Sequence, residues 1–270
     1  MRTTTVAMQD VQKNEATGRD TRAAILKRSI RANVPLRKTF VQANKGGGSR
    51  HGPLRDFVTG RDLRGLRAYL MIVAACSNGD KGWTTEHDSA VWARLMDIHE
   101  TATSQSARTG AWRALRRLAD RTLIECSRSG TKIKVTLLRE DGTGKPYDRP
   151  KGDTEEDRFL QIPTTFWTQG RDEKLSLPGL ALFLVVAREN EKDWASFPGD
   201  KANEWYGWSA DTHERGLKQL VELGLVQKKP FKKKAPLAPA GFTIAHKYQR
   251  APITKPRKAP VKKSATSATA

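Results

Sequence analysis

Glu86-His87-Asp88 is the densest group of acid–base and metal-ligating side chains in the sequence, and such a set is what a metal-dependent nuclease needs to activate water against a phosphodiester. The spacing argues against that chemistry. A metal centre needs convergent ligands, as in HExxH, and none of His51, His87, His99, His213 and His246 has such a partner. Asp88 stands just before a helical pattern, where it serves better as an N-cap. Gly144-Lys145 resembles the end of a phosphate loop, but Arg139 occupies the first-glycine position and Pro146 stands where Ser or Thr would hold magnesium. The run Asp153-Thr-Glu-Glu-Asp157 reads as a solvated linker. Cys76 and Cys126 lie too far apart for a CxxC zinc pattern and are too few for a disulfide framework. These residues predict a protein that is not an enzyme, with no cofactor and no bound metal.

The side chains that recur in a pattern are cationic. Among 270 residues, 49 Lys and Arg face 29 Asp and Glu, for a net charge of +20. Residues 1–55 carry 12 bases and 3 acids, residues 228–270 carry 12 bases and no acid, and the middle is close to neutral. Cationic ends on a neutral centre suit counter-charge for a polyanion, since each neutralised phosphate releases condensed cations, and charge alone leaves nucleic acid, an anionic membrane surface and a solubilising tail as readings. Gly46-Gly47-Gly48-Ser49 marks a joint, Thr21 to Arg31 offers only a short transient helix, and the Lys/Pro/Ala-rich end has few large apolar residues, so both ends are predicted to be flexible. The longest apolar runs, Tyr69 to Cys76 and Leu180 to Ala187, fall far short of the roughly 18 residues of a membrane span, which predicts no membrane partner and a cytoplasmic location.

Two segments repeat. Leu63-Arg-Gly-Leu66-Arg-Ala-Tyr69-Leu70-Met-Ile-Val73 aligns without a gap on Leu177-Pro-Gly-Leu180-Ala-Leu-Phe183-Leu184-Val-Val-Ala187, with apolar residues at i, i+3, i+7 and i+10. Ala114 to Ile124 aligns in the same way on Gly216 to Val226, a helix running into a strand, with Thr122 and Gly224 at the position that ends the helix. Ile133 to Leu137 and Phe242 to Ile244 return as the second strand of a hairpin in each copy. Phe57-Val58 and Phe159 to Pro163 are the predicted leading strands, and Ser89 to Met96 and Gly199 to Trp205 the predicted middle helices.

Three helices with a turn between the second and third, followed by a two-stranded appendage, resemble the winged-helix form of the helix-turn-helix class; two unequal copies between basic tails resemble plasmid and phage replication initiators. The fold class expected is therefore mainly α with small β-hairpins (α+β). The expected organisation is a basic arm over 1–55, a first winged helix over 56–140, a linker over 141–157, a second winged helix over 158–248 and a disordered tail over 249–270. The resemblance implies sequence-specific binding of double-stranded DNA, with the third helix of each copy in the major groove and the wing on the backbone. Transcriptional control by the same surfaces is the alternative, and further partners would be a second copy of the chain and the replication or transcription machinery.

A helix beginning near Ser104 turns Ala111, Leu115 and Leu118 inward and leaves Gln105, Arg108, Thr109, Trp112, Arg113 and Arg116 outside. Arginine forks match the paired acceptors of guanine, and Gln or Thr can read adenine or the thymine methyl. Trp112 reads as packing. The first wing offers Arg128, Lys132 and Lys134. In the second copy Thr212, His213, Arg215 and Lys218 project from a helix capped by Ser209, with Glu214 opposing, so that copy is expected to lean on its wing lysines Lys228, Lys229, Lys232, Lys233 and Lys234. Trp167, Trp194, Trp205 and Trp208 read as packing residues rather than as a platform for single strands.

Overall fold

The computed structural model describes residues 15–28, 31–43, 50–79, 82–189 and 194–251. The Gly46–Ser49 joint and the tail beyond 251 lie outside these. The fold is mixed α/β with small antiparallel sheets. It is built around two helices that are apolar on nearly every side, α3 (Leu63–Ala75) and α8 (Leu177–Glu189). Gly179 through Ala187 are all buried in α8, and from Gly65 to Ala74 only Arg67 of α3 is not. A helix without a polar face has to be covered all round.

Each of these helices opens the same path. In the first unit α3 leads through β2 (Ser77–Gly79) and β3 (Gly82–Asp88) to α4 (Ser89–Leu95), α5 (Ser104–Asp120) and the hairpin β4 (Ile124–Ser129) and β5 (Lys132–Leu137), with sheet order β2-β3-β5-β4. In the second, α8 leads to α9 (Ala202–Tyr206), α10 (Ala210–Glu222) and the hairpin β7 (Val226–Lys234) and β8 (Phe242–Arg250). There the strand that corresponds to β3 is reduced to a single antiparallel bridge, Ala195 to Tyr248 of β8. The ends of the third helices also match: Thr122 has φ +55° and Gly224 φ +64°, the left-handed residue that turns each helix into its strand. Gly216 lets α10 approach α8 closely, since a Cβ there would lie 2.5 Å from the Pro178 carbonyl oxygen.

Three expectations are corrected. Residues 1–55 are not a flexible arm throughout: α1 (Gly18–Lys27), capped by Thr17, and β1 (Asn33–Arg37) are packed parts of the fold, and Val34, Leu36, Phe40 and Val41 are buried. Phe57-Val58 is not a leading strand but part of α2 (Leu54–Thr59), where Leu54, Phe57 and Val58 share the buried face at helical spacing. The leading strand of the second unit, β6 (Phe159–Pro163), pairs with β1, so the N-terminal segment supplies its partner. Residues 141–157 are not a free linker either. They close around the Arg37 side chain, and Tyr147 is buried with its ring against Trp83.

The two units and the N-terminal segment share one continuous apolar core. Phe40, following β1, stacks on Tyr69 of α3 at 5.1 Å, with Phe57 at 6.0 Å from Phe40. Fully burying each such ring contributes about 1.5–3 kcal/mol. Two buried arginines lie at the joint. Arg22 of α1 reaches the Leu95 carbonyl and Asp97 of the first unit at 2.8 and 2.9 Å, and Glu173 of α7 (Arg171–Lys174) at 2.6 Å. Asp172 lies 3.4 Å from the same guanidinium, and burial pushes its carboxyl up to about 6. Arg37 is fully buried and pairs with Glu140 at 2.5 Å, also fully buried, and with Asp148 and Asp157 at 2.9 and 2.8 Å.

Replacing one member of a buried pair strands the other charge, at about 3–5 kcal/mol, whereas replacing both by apolar residues of similar volume is close to neutral. Arg37→Met should therefore lower the unfolding free energy by that amount, and Arg37→Met with Glu140→Met should recover part of it, since Asp148 and Asp157 lose their partner in both variants, as read by denaturant titration. Equal losses in the two variants would contradict this role for the pair.

Candidate nucleic-acid interface

Helix α5 is seated by its own ends. Thr103 caps it through the Ser106 N–H, and Ala107, Ala111, Ala114, Leu115 and Leu118 are buried. At the far end Arg117 and Arg121 donate to Asp62 at 2.9 and 2.7 Å, and Asp62 also accepts from the Gly65 N–H to cap α3. Burial alone would raise the Asp62 carboxyl, but these hydrogen bonds outweigh it and hold it at about 2. The outer face of α5 is thus fixed relative to α3.

On that face Gln105, Arg113 and Arg116 are exposed, while Arg108, Thr109 and Trp112 are half-buried. The cations differ in freedom. Arg108 lies 3.7 Å from Asp88 and 3.5 Å from the Ser89 hydroxyl, against the start of α4. Arg116 stands 3.9 Å from Asp120 and 6.0 Å from the centre of the Trp112 ring. Arg113 makes no ion pair among the described residues. Thr109 donates its hydroxyl back to the Gln105 carbonyl and is spent on its own helix. In the hairpin, Arg128 donates to the Gly130 carbonyl, Lys132 approaches Glu86 at 3.9 Å, and Lys134 faces Glu86 in register. The first hairpin therefore offers less unopposed charge than its sequence promises.

In the second unit one expectation fails outright. His213 does not project: it is 1 % exposed, its ring stacks on Tyr206 at 5.9 Å, and burial pushes its pKa down to about 4. A neutral, enclosed imidazole cannot contact a phosphate. Thr212 is taken up by the cap, with its N–H and hydroxyl both at Ser209. Arg215 and Lys218 are exposed, but each has a carboxylate one turn away, Asp211 at 3.0 Å and Glu222 at 4.0 Å. The groove of about 830 Å³ between α10 and the hairpin is also mixed in sign, with Asp211, Glu214 and Glu222 facing Lys228 and Lys233.

The β7–β8 ribbon is different. Lys228, Lys229, Lys232, Lys233 and Lys234 are all exposed and have no acidic partner within 4 Å among the described residues. Two of their ammonium groups sit over aromatic rings: Lys229 Nζ over Trp194 at 4.2 Å and Lys232 Nζ over Phe242 at 4.4 Å. Lys247, in register with Lys229 and over Phe231 at 5.2 Å, adds a cation that the sequence reading missed by ending the strand at Ile244. Its signal was the continued alternation through His246 and Tyr248.

The groups considered for catalysis do not converge. Asp88 caps α4 through the Ala90 N–H at 2.7 Å, His87 bonds the Thr85 hydroxyl and packs edge-on to Trp92, and Glu86 faces the lysines of β5. Among the described residues no group of three or more His, Cys, Asp or Glu is arranged to hold a metal. Burial pushes the Cys76 thiol up to about 12, far from a reactive thiolate. No helix of the described residues is long and apolar enough to cross a membrane. Comparison with protein families, with curated proteins and with solved structures returns no match.

Two outcomes follow for these side chains. Arg113→Ala should cost about 1–3 kcal/mol of duplex affinity and relax sequence preference, with Arg108→Ala costing less; uniform weakening on all duplexes would assign Arg113 to phosphates. His213→Phe should leave duplex affinity unchanged. Because its folded pKa is depressed, His213 contributes stability that is present above 6.5 and lost as the pH falls toward 4. The wild type should therefore lose about 2 kcal/mol more than His213→Phe between pH 7 and pH 5. Parallel stability curves would contradict the buried neutral imidazole.

Proposed function

We propose that the protein binds duplex DNA through two unequal winged-helix units: the first reads bases with α5, and the second grips the backbone with its lysine ribbon. The observation that carries this is the β7–β8 ribbon, whose five exposed lysines have no carboxylate within 4 Å among the described residues. The shared path of helix, edge strand, two helices and hairpin supports the winged-helix assignment, because in both units the edge strand pairs with the second strand of the hairpin.

Replication initiation is the first role we assign, and the partners would then be origin DNA and the replication machinery. A palindromic operator asks for two-fold symmetry from a dimer, whereas two different units fixed in one chain suit an asymmetric composite site.

The test is a salt titration of duplex binding. The wild type should show log K falling steeply with log salt concentration, and replacing the five ribbon lysines by Gln should make that slope shallower by about 4. An unchanged slope would remove the ribbon from the interface. Tighter binding to a single strand of the same length would overturn the duplex reading.

A further inference from the structure

Leu237 is fully exposed, at 101 %, and among the described residues no other large apolar side chain comes near it; the next, Ile244, is 56 % exposed. A single exposed leucine is ordinary. Its seat is not. It sits at the far tip of the β7–β8 ribbon, whose nine-residue strands span about 30 Å at roughly 3.3 Å per residue. The ribbon is tied to the body at its base by the Ala195–Tyr248 bridge and the Ala251 N–H to the Leu225 carbonyl.

The tip is also held in shape. Pro236 and Leu237 are the central residues of a turn closed by the Ala238 N–H on the Ala235 carbonyl at 3.0 Å. Pro239 and Ala240 fill a second turn, closed by the Gly241 N–H on the Ala238 carbonyl at 2.8 Å. The Ala235 N–H donates to the Gly241 carbonyl at 3.0 Å and shuts the loop, with Gly241 supplying the positive φ of +71°. Proline at the second position of each turn fixes its φ in advance. Little conformational entropy then remains to be lost when the apolar tip meets a surface. Lys232, Lys233 and Lys234 lead directly up to it.

We propose that Leu237 is a wedge: the ribbon enters the minor groove, Leu237 inserts between two base pairs, and the duplex bends toward the lysines of β7 that lead up to the tip. This rests on the duplex-binding reading and goes beyond it. An apolar side chain that unstacks a base step loses water and gains ring contacts, while the bend brings phosphates toward the cations that can neutralise them. A protein partner would also accept an exposed leucine, but Lys232, Lys233 and Lys234, which lead up to this one, favour a polyanion.

The experiment uses the full chain and duplexes of about 30 base pairs, short against the persistence length of DNA and therefore stiff when free. They carry a fluorophore pair at the ends and 2-aminopurine beside a central TA step. Wild-type protein should shorten the end-to-end distance and brighten the 2-aminopurine. Leu237→Ala should keep its cooperative unfolding and the salt slope, lose both signals and bind about ten-fold more weakly. That difference should close on a duplex with a central mismatch, where unstacking is already in place. If the two chains bind the duplex but give equal bending and equal 2-aminopurine fluorescence, as they would were Leu237 a contact for another protein, the wedge is overturned while the duplex reading stands. Failure of the wild type to bind any duplex overturns both.

Discussion

A buried guanidinium must be matched by carboxylates that only the correct neighbours can supply, and two such groups in the N-terminal segment determine how this protein is put together. Arg22 finds Asp97 on the first unit and Asp172 and Glu173 on the second; Arg37 finds Glu140, Asp148 and Asp157 on the stretch between them. The net stability from such pairs is small, because desolvation offsets most of the Coulomb gain. Their cost when mismatched is large. The apolar core therefore provides most of the folding free energy, and the arginines exclude other ways of docking the units. Arg67 of α3 adds to this, donating to the carbonyls of Glu173 and Leu175 across the same joint.

Fixed docking shapes what the surfaces can do. A tether between two DNA-binding units would let each find its own site; a shared core presents α5 and the β7–β8 ribbon at a single separation. The two surfaces also divide the work. On α5 the cations are partly committed, Arg108 to the start of α4 and Arg116 to Asp120, which leaves Arg113 as the guanidinium of that face with the fewest competitors. On α10 each exposed cation has a carboxylate on its own helix, and the unopposed charge has moved onto the ribbon. In the proposed function, a helix that reads and a ribbon that grips would be complementary on one frame.

Much of each unit was legible because it is written in local periodicity. The helical spacing of Leu63 to Val73 and Leu177 to Ala187, the caps at Asp88 and Ser209, and the helix ends at Thr122 and Gly224 are local patterns, and each appears where its residues predict. What the sequence concealed depends on long-range contact. Arg22 and Arg37 look like ordinary members of a basic arm until their acids, 75 to 151 positions away, are brought to them. His213 looks like a polar face residue until Tyr206 and the α9 turn close over it. One signal was available: the runs Tyr69 to Cys76 and Leu180 to Ala187 leave no polar face, and a helix of that kind needs cover on a side that a free-standing three-helix unit exposes. The alternation of Val34, Leu36 and the apolar Phe40-Val41 pair marked the segment that helps to provide it.

The claim on which the rest depends is that a single rigid frame presents two cationic surfaces to one duplex. A protection footprint of the full chain on a collection of duplex fragments measures this directly. The account predicts two protected tracts whose separation is the same at every bound site. Tracts whose spacing varies from site to site would contradict the rigid frame, and the absence of any protected tract would contradict the assignment to duplex DNA.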